Sequence, residues 1–169
     1  MLKSQLRKAA VDQIAATKMT TTLQPRVITD PEDFQVFRTT LESAGLPYKD
    51  LNVNDHLLIG YYDGDHLVGT GGLEIYGDYG LLRSVSIHEN SRGMNLGTKI
   101  ALHLIDKARA SELKGLYLLT ETAQGFFEKL GFNSIHRDDA EKVVKASAEF
   151  THVCPSTAVC MYLDLKKTC

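Results

Sequence analysis

Cysteine is scarce in this chain. Only Cys154, Cys160 and Cys169 occur, all late in the sequence, and no CxxC spacing links them. An odd number placed this way excludes a disulfide framework, argues against a zinc site and fits a reducing, cytoplasmic setting. Long apolar runs are also missing. None approaches the roughly 20 residues of a membrane span, so no membrane partner is expected. Positive charge is neither abundant nor clustered: 19 lysines and arginines stand against 21 acids, a net charge of −2. A duplex-binding surface concentrates basic residues to displace phosphate counterions, so nucleic acid is not expected as a partner either. Repeats and low-complexity stretches are absent. What remains is a 169-residue chain, 43% hydrophobic and 24% charged, the composition of an ordinary globular domain. Such a length buries about 70% of the unfolded surface without a metal or disulfide staple.

Residues 1–18 read apart from the rest. Lys3, Arg7, Lys8 and Lys18 face a single acid, Asp12, while Leu2, Leu6, Ala9, Ala10 and Ile14 fall near one helical face. This is an amphipathic helical extension, either a targeting segment or a helix packed on the domain or on a partner subunit. A homodimer therefore stays open. The main domain is expected over residues 19–169.

Within it, Asp30-Pro31-Glu32-Asp33 reads as a helix start, with an acceptor at the cap, proline first and acids at the positive end of the dipole. Phe34, Phe37, Leu41 and Ala44 repeat at helical spacing, and Gly45 with Pro47 ends the helix. Residues 46–51 form a loop leading inward. Three antiparallel strands follow over residues 57–62, 66–75 and 81–87, turned by Asp63-Gly64-Asp65 and by residues 76–80. A helix is expected over residues 97–110, and a doubly buried strand over 115–119. A second helix is expected over 122–130, closed by Gly131 in the left-handed region, and a third over 139–148. A final strand over 157–165 completes an α+β or mixed α/β pattern with both sheet faces covered.

The chemistry concentrates where a strand runs into a helix: Val85-Ser86-Ile87-His88-Glu89-Asn90-Ser91-Arg92-Gly93-Met94-Asn95-Leu96-Gly97. A glycine-bearing loop at a helix start offers unpaired N–H groups and a positive dipole end to an anion. No Gly-Lys-Ser/Thr closes it, and the spacing is not G-x-G-x-x-G, so neither common nucleotide loop is present.

Arg92-Gly93-Met94-Asn95-Leu96-Gly97 after this strand resembles the acetyl-CoA pyrophosphate loop of the GNAT acetyltransferase superfamily. A second block, Thr120-Glu121-Thr122-Ala123-Gln124-Gly125-Phe126-Phe127-Glu128-Lys129-Leu130-Gly131-Phe132, resembles the segment that lies beside the pantetheine. The resemblance spans residues 26–165. Leu81-Leu82-Arg83-Ser84-Val85, Leu118-Leu119-Thr120-Glu121-Thr122-Ala123, Phe126-Phe127, Glu149-Phe150 and Cys154-Pro155-Ser156-Thr157-Ala158 together resemble the arsenic-resistance N-acetyltransferases, relatives of the N-acetylglutamate synthase type.

The resemblance implies a mostly antiparallel central sheet with helices on both faces. It implies acetyl-CoA as cosubstrate, with no metal, and a small amine, an amino acid or its analogue, as acceptor. Val85, Ser86 and Ile87 would align the pantetheine through their backbone. Arg92, Gly93, Met94, Asn95, Leu96, Gly97 and Thr98 would hold the pyrophosphate, and Thr120 and Phe127 would border the thiol arm. Asn95 stands where glycine is usual, and Phe127 stands where many members carry a tyrosine acid.

Glu74 is a candidate general base, or else a solvated strand residue. Arg83 is a candidate grip for a substrate carboxylate, or else one half of a buried ion pair with Glu74 or another acid. Thr120 either meets the cosubstrate or caps the following helix. Cys154 reads as a small buried hydrophobe, a nucleophile or a thiol beside the leaving group. Two other functions stay open: a CoA-binding sensor without catalysis, and a protein N-acetyltransferase.

Overall fold

The computed structural model describes residues 23–167. The extension over residues 1–18 and Cys169 lie outside the described residues. One sheet is built from β1 (Gln24–Val27), β2 (Leu57–Asp63), β3 (His66–Tyr76), β4 (Tyr79–Ile87), β5 (Gly115–Thr120), β6 (Asn133–Ile135) and β7 (Val159–Asp164). Its order is β1-β2-β3-β4-β5-β7-β6, antiparallel throughout except for the parallel pair β4–β5. The helices are α1 (Pro31–Ser43), α2 (Leu96–Ala110) and the short α3 (Gln124–Glu128) and α4 (Lys142–Lys145).

Alternation along the strands sends successive side chains to opposite faces and so fills two cores. On one face Ile59, Leu73, Leu82, Leu116 and Met161 pack against Ile100, Leu104 and Ile105 of α2. That close approach depends on two glycines of β3. A Cβ at Gly69 would lie 2.5 Å from Ile100, and one at Gly71 would lie 2.8 Å from Leu104. On the other face α1 covers Ile28 and Leu58 with Phe37 and Leu41, while Val144 of α4 covers Leu81, Tyr117 and Cys160. α1 begins as its sequence dictates, with the Asp30 carboxylate accepting from the amides of Glu32 and Asp33. Ala44, at its end, is exposed rather than part of the apolar face.

Two stretches depart from expectation. The helix expected over 122–130 is only α3, because the chain is still turning there: the Ala123 amide donates to Thr120 Oγ1 at 3.0 Å. Gly131 does close the segment with φ 97°. The helix expected over 139–148 is reduced to the one turn of α4, between a tight turn at Arg137–Asp139 and a π-helical turn at Glu149–Val153. Helices this short draw little stability from their own hydrogen bonds and exist through tertiary packing, which periodicity does not reveal. Cys154 precedes β7 and so shares no strand with Cys160.

The feature that makes room for chemistry lies in β4. Thr70 pairs with Ser86 but Gly72 pairs with Arg83, so β4 carries one extra residue. Ser84 takes up the slack in the left-handed region at φ 59°, and buried Thr70 Oγ1 donates to its carbonyl at 2.7 Å. β4 meets β5 only at Tyr79, Gly80 and Leu81, opposite Gly115, Leu116 and Tyr117. Beyond that point β4 stays with β3, β5 stays with β7, and the two strands part.

Candidate active site

A cavity of about 280 Å³ lies where β4 and β5 part, lined by Arg83 and Val85, by Leu119 and Thr120, and by Phe127 of α3. Glu149 and Cys154, from the π-helical turn and its end, close another side.

Arg83 lies at its floor, 4% exposed, inside a cage of acids. Nη1 and Nη2 both donate to the Asp50 carboxylate, the latter at 2.9 Å, and Nη1 donates to Glu74 Oε1 at 2.8 Å. Nε lies 3.2 Å from Glu149 Oε1. Burial alone would lower the Arg83 pKa, but these carboxylates outweigh it and hold the guanidinium far above its ordinary value. Burial likewise pushes Asp50 up, yet the bond and charge of Arg83 bring its carboxyl below the usual range.

Two expectations change here. Glu74 is not a solvated strand residue; it is 2% exposed, and both oxygens are taken. Oε1 meets Arg83 and His56 Nε2, the latter at 3.2 Å, and Oε2 accepts from the Tyr76 hydroxyl. It does not border the cavity, because β3 places it behind Arg83. The Arg83 fork is likewise not free to grip a substrate carboxylate, since the protein's own acids fill it.

Glu149 is the residue that sequence reasoning missed as a functional group. It is 5% exposed, and Oε2 is buried with no hydrogen-bond partner. Burial pushes its carboxyl up to about 7, against the pull of Arg83 and with the push of Glu74 and Asp50. The available signal was an acid between Ala148 and Phe150, in a region without legible periodicity. Burial also pushes the Cys154 thiol up to about 12. At neutral pH it is a thiol and not a thiolate, which removes the ready nucleophile.

The strand-to-helix loop follows β4, whose Val85 lines this cavity. Gly93 has φ 86°, and Asn95 adopts the left-handed region at φ 56° directly before α2. Among the described residues, no backbone carbonyl pairs with the amides of residues 93–98. Arg92 is exposed with no carboxylate partner among the described residues. The loop residues do not share one cleft. Ser86, Ile87 and Arg92 line a cleft of about 500 Å³ against α1, while Gly93, Met94, Asn95 and Leu96 line one of about 490 Å³. Val85 and Ile87 pack their side chains on the α2 core, leaving their backbone for other partners. Gly97 faces Phe126, which a Cβ there would meet at an ordinary 3.5 Å, with half-buried Thr98 beside it. Phe127, 7% exposed, packs edge-on against Phe126 and Phe132 and forms an apolar cavity wall. No group of three or more histidine, cysteine or acidic side chains among the described residues could hold a metal ion.

The glycine-bearing loop between β4 and α2 is the element that the sequence block implied, and a profile of the acetyltransferase (GNAT) family matches residues 24–132. The chain belongs to the GNAT acetyltransferase family. Solved structures of this fold superpose well. N-acetylglutamate synthase from Neisseria gonorrhoeae, complexed with coenzyme A and L-arginine, matches with a TM-score of 0.70 at 14% identity. The match covers 86% of this chain but 34% of the synthase, so this chain spans about a third of that protein. Rv2747 from Mycobacterium tuberculosis, in complex with CoA and NLQ, gives 0.67 at 22% identity, over 83% of this chain and 98% of that one. The ribosomal-protein-S18-alanine N-acetyltransferase of Escherichia coli gives 0.62 at 14% identity, over 88% and 97%. No curated protein sequence matches closely enough to count as a relative. The residues present fit a CoA ligand. Free amides and the Arg92 cation suit the pyrophosphate, and the unpaired edge of β4 suits the amide-bearing pantetheine.

Proposed function

We propose that this GNAT chain acetylates the primary amine of a small molecule, an amino acid or an amino-acid analogue, by direct attack on acetyl-CoA. Acetyl-CoA supplies the acetyl thioester. The loop at Arg92, Gly93, Met94, Asn95, Leu96, Gly97 and Thr98 holds the pyrophosphate, and the backbone of Val85, Ser86 and Ile87 aligns the arm that follows. Thr120 and Phe127 border the reacting end. The observation that carries the reading is the cavity at the β4–β5 parting: about 280 Å³, with Phe127 as an apolar wall and Glu149 beside Arg83 among its lining residues. Three acids surround the one Arg83 cation, Glu149 at the cavity and Asp50 and Glu74 behind it, a local excess of negative charge that favours an ammonium group over a lone anion. The small volume suits an amino acid better than a folded substrate.

Glu74 and Arg83 act in this reading as positioning residues. Arg83 holds Glu149 at the cavity, and Asp50 and Glu74 hold Arg83 in turn. An amine bound here loses a proton, attacks the carbonyl and expels the thiolate, with backbone donors stabilising the oxyanion. The resemblance of the sequence motifs to arsenic-resistance N-acetyltransferases extends the candidate substrates to arsenical and phosphinic analogues of amino acids. The test is a panel of standard amino acids and these analogues, incubated with acetyl-CoA and read by mass spectrometry for N-acetyl products. One or a few members should be acetylated. A panel without any acetylated member overturns the substrate class.

A further inference from the structure

Resting on the reading of this cavity as the acetyl-transfer site, we propose that Glu149 is the catalytic base, its Oε2 taking the proton of the substrate ammonium. The geometry is specific to one oxygen. Glu149 lines the cavity; its Oε1 is 3.2 Å from Arg83 Nε, while its Oε2 is buried with no hydrogen-bond partner among the described residues. A buried acceptor left unpaired costs stability, so a ligand donor that completes it is favoured by the same amount. A substrate N⁺–H is the donor this pocket invites.

The turn that carries Glu149 is built to hold it. It is π-helical, a geometry frequent at functional sites. Arg137 clamps it by donating to the carbonyls of Phe150 at 2.7 Å and Pro155 at 2.9 Å. The charged and titratable groups around the carboxylate are Arg83 from β4, Glu74 and Tyr76 from β3, and Asp50 from the loop after α1. Arg137 and Cys154 flank it from its own side. Burial and the neighbouring acids outweigh Arg83 and Arg137, so the group titrates near neutrality, where a base works best.

The step balances without further reagents. One ammonium proton moves to Oε2 and frees the nitrogen lone pair. The N–C bond forms as the thioester C–S bond breaks, and the second nitrogen proton leaves with the departing thiolate as CoA thiol. Glu149 then returns its proton to solvent. Glu74, with both oxygens occupied and no access to the cavity, cannot take this part.

The experiment compares wild type with Glu149→Gln on the best amine of the panel. Glu149→Gln should bind CoA normally and lose ~100-fold or more in kcat/KM at neutral pH. Wild type should show an acidic limb near pH 7 in its pH–rate profile, and the variant should lack it. Independently of turnover, a side-chain carboxyl signal of glutamate-labelled wild type should titrate near neutrality in ¹³C NMR and be missing from Glu149→Gln. An equally fast variant with an unchanged pH profile overturns the assignment to Glu149 while the acetyltransferase reading stands. A wild type inert toward every amine overturns both. If Glu149→Gln fails to fold, the wild-type titration decides with Glu149→Asp. Absence of a near-neutral carboxyl together with full activity of Glu149→Asp also overturns the assignment.

Discussion

At the scale of single residues, the site is governed by which charge is satisfied and which is not. Arg83 is saturated by Asp50, Glu74 and Glu149, so it shapes the cavity without being free to bind. Glu149 pays for its position. Its carboxyl prefers the protonated form when folded, because its folded pKa stands above the ordinary value. Its stability contribution is therefore full below the ordinary carboxylate range and lost as pH rises to about 7. Glu149→Gln removes that loss. Thermal melts should show the variant gaining on wild type as pH rises, reaching on the order of 2 kcal/mol above neutrality. A difference that does not change with pH would contradict the burial argument. Asp50 has the opposite sign: its depressed pKa gives stability at neutral pH that is lost on acidification. Phe127 sets a second expectation. Its apolar surroundings leave a hydroxyl without a partner, so Phe127→Tyr should leave the turnover rate within a few-fold and cost about 1–3 kcal/mol if that hydroxyl stays buried. A gain of ~100-fold in thiol release would show instead that a proton donor is missing there and that the wild-type chain is a poor enzyme.

At the scale of elements, the β4 bulge and the turn into α2 organise everything else. The turn was legible in the sequence, because a loop of glycine, asparagine and arginine before an apolar-periodic helix has a local physical meaning. The meander and the Asp30 cap were legible for the same reason. The bulge was not, since Ser84 in the left-handed region and its bond from Thr70 depend on a pairing between strands. Glu149 was hidden for a related reason. It sits in a π-helical turn with no periodic signature, and its partner Arg83 lies on a distant strand. The sequence did show that a cation between Leu82 and Val85 needed an acid; it could not say that three acids, one from the inward loop at Asp50, would supply it. Gly97 provides the test at this scale. A Cβ there meets Phe126 at an ordinary distance, so the protein itself does not demand glycine. Gly97→Val should therefore fold with near-native melting, yet bind CoA at least ~10-fold more weakly in calorimetry, because the side chain intrudes on the amides that receive the pyrophosphate. Unchanged affinity in the folded variant would remove the loop from the CoA site.

At the scale of the whole molecule, one sheet does two jobs. Its antiparallel strands and α2 form the core, and the parallel pair β4–β5 parts to leave the cavity proposed as the acetyl-transfer site. No helix of the described residues is long and apolar enough to cross a membrane. The overall charge of −2 supplies no basic surface, and the charge that matters is local, three acids about one arginine at the cavity floor. Burial holds the Cys154 thiol neutral, in keeping with the proposed direct transfer from CoA to the amine. Rapid mixing of the protein with acetyl-CoA, first alone and then with the acetylated amine of the panel, tests this most directly. Thiol should appear only after the amine is added, in equal amount to the N-acetyl product. A burst of thiol stoichiometric with protein before any amine is present would establish an acetyl-enzyme and contradict direct transfer.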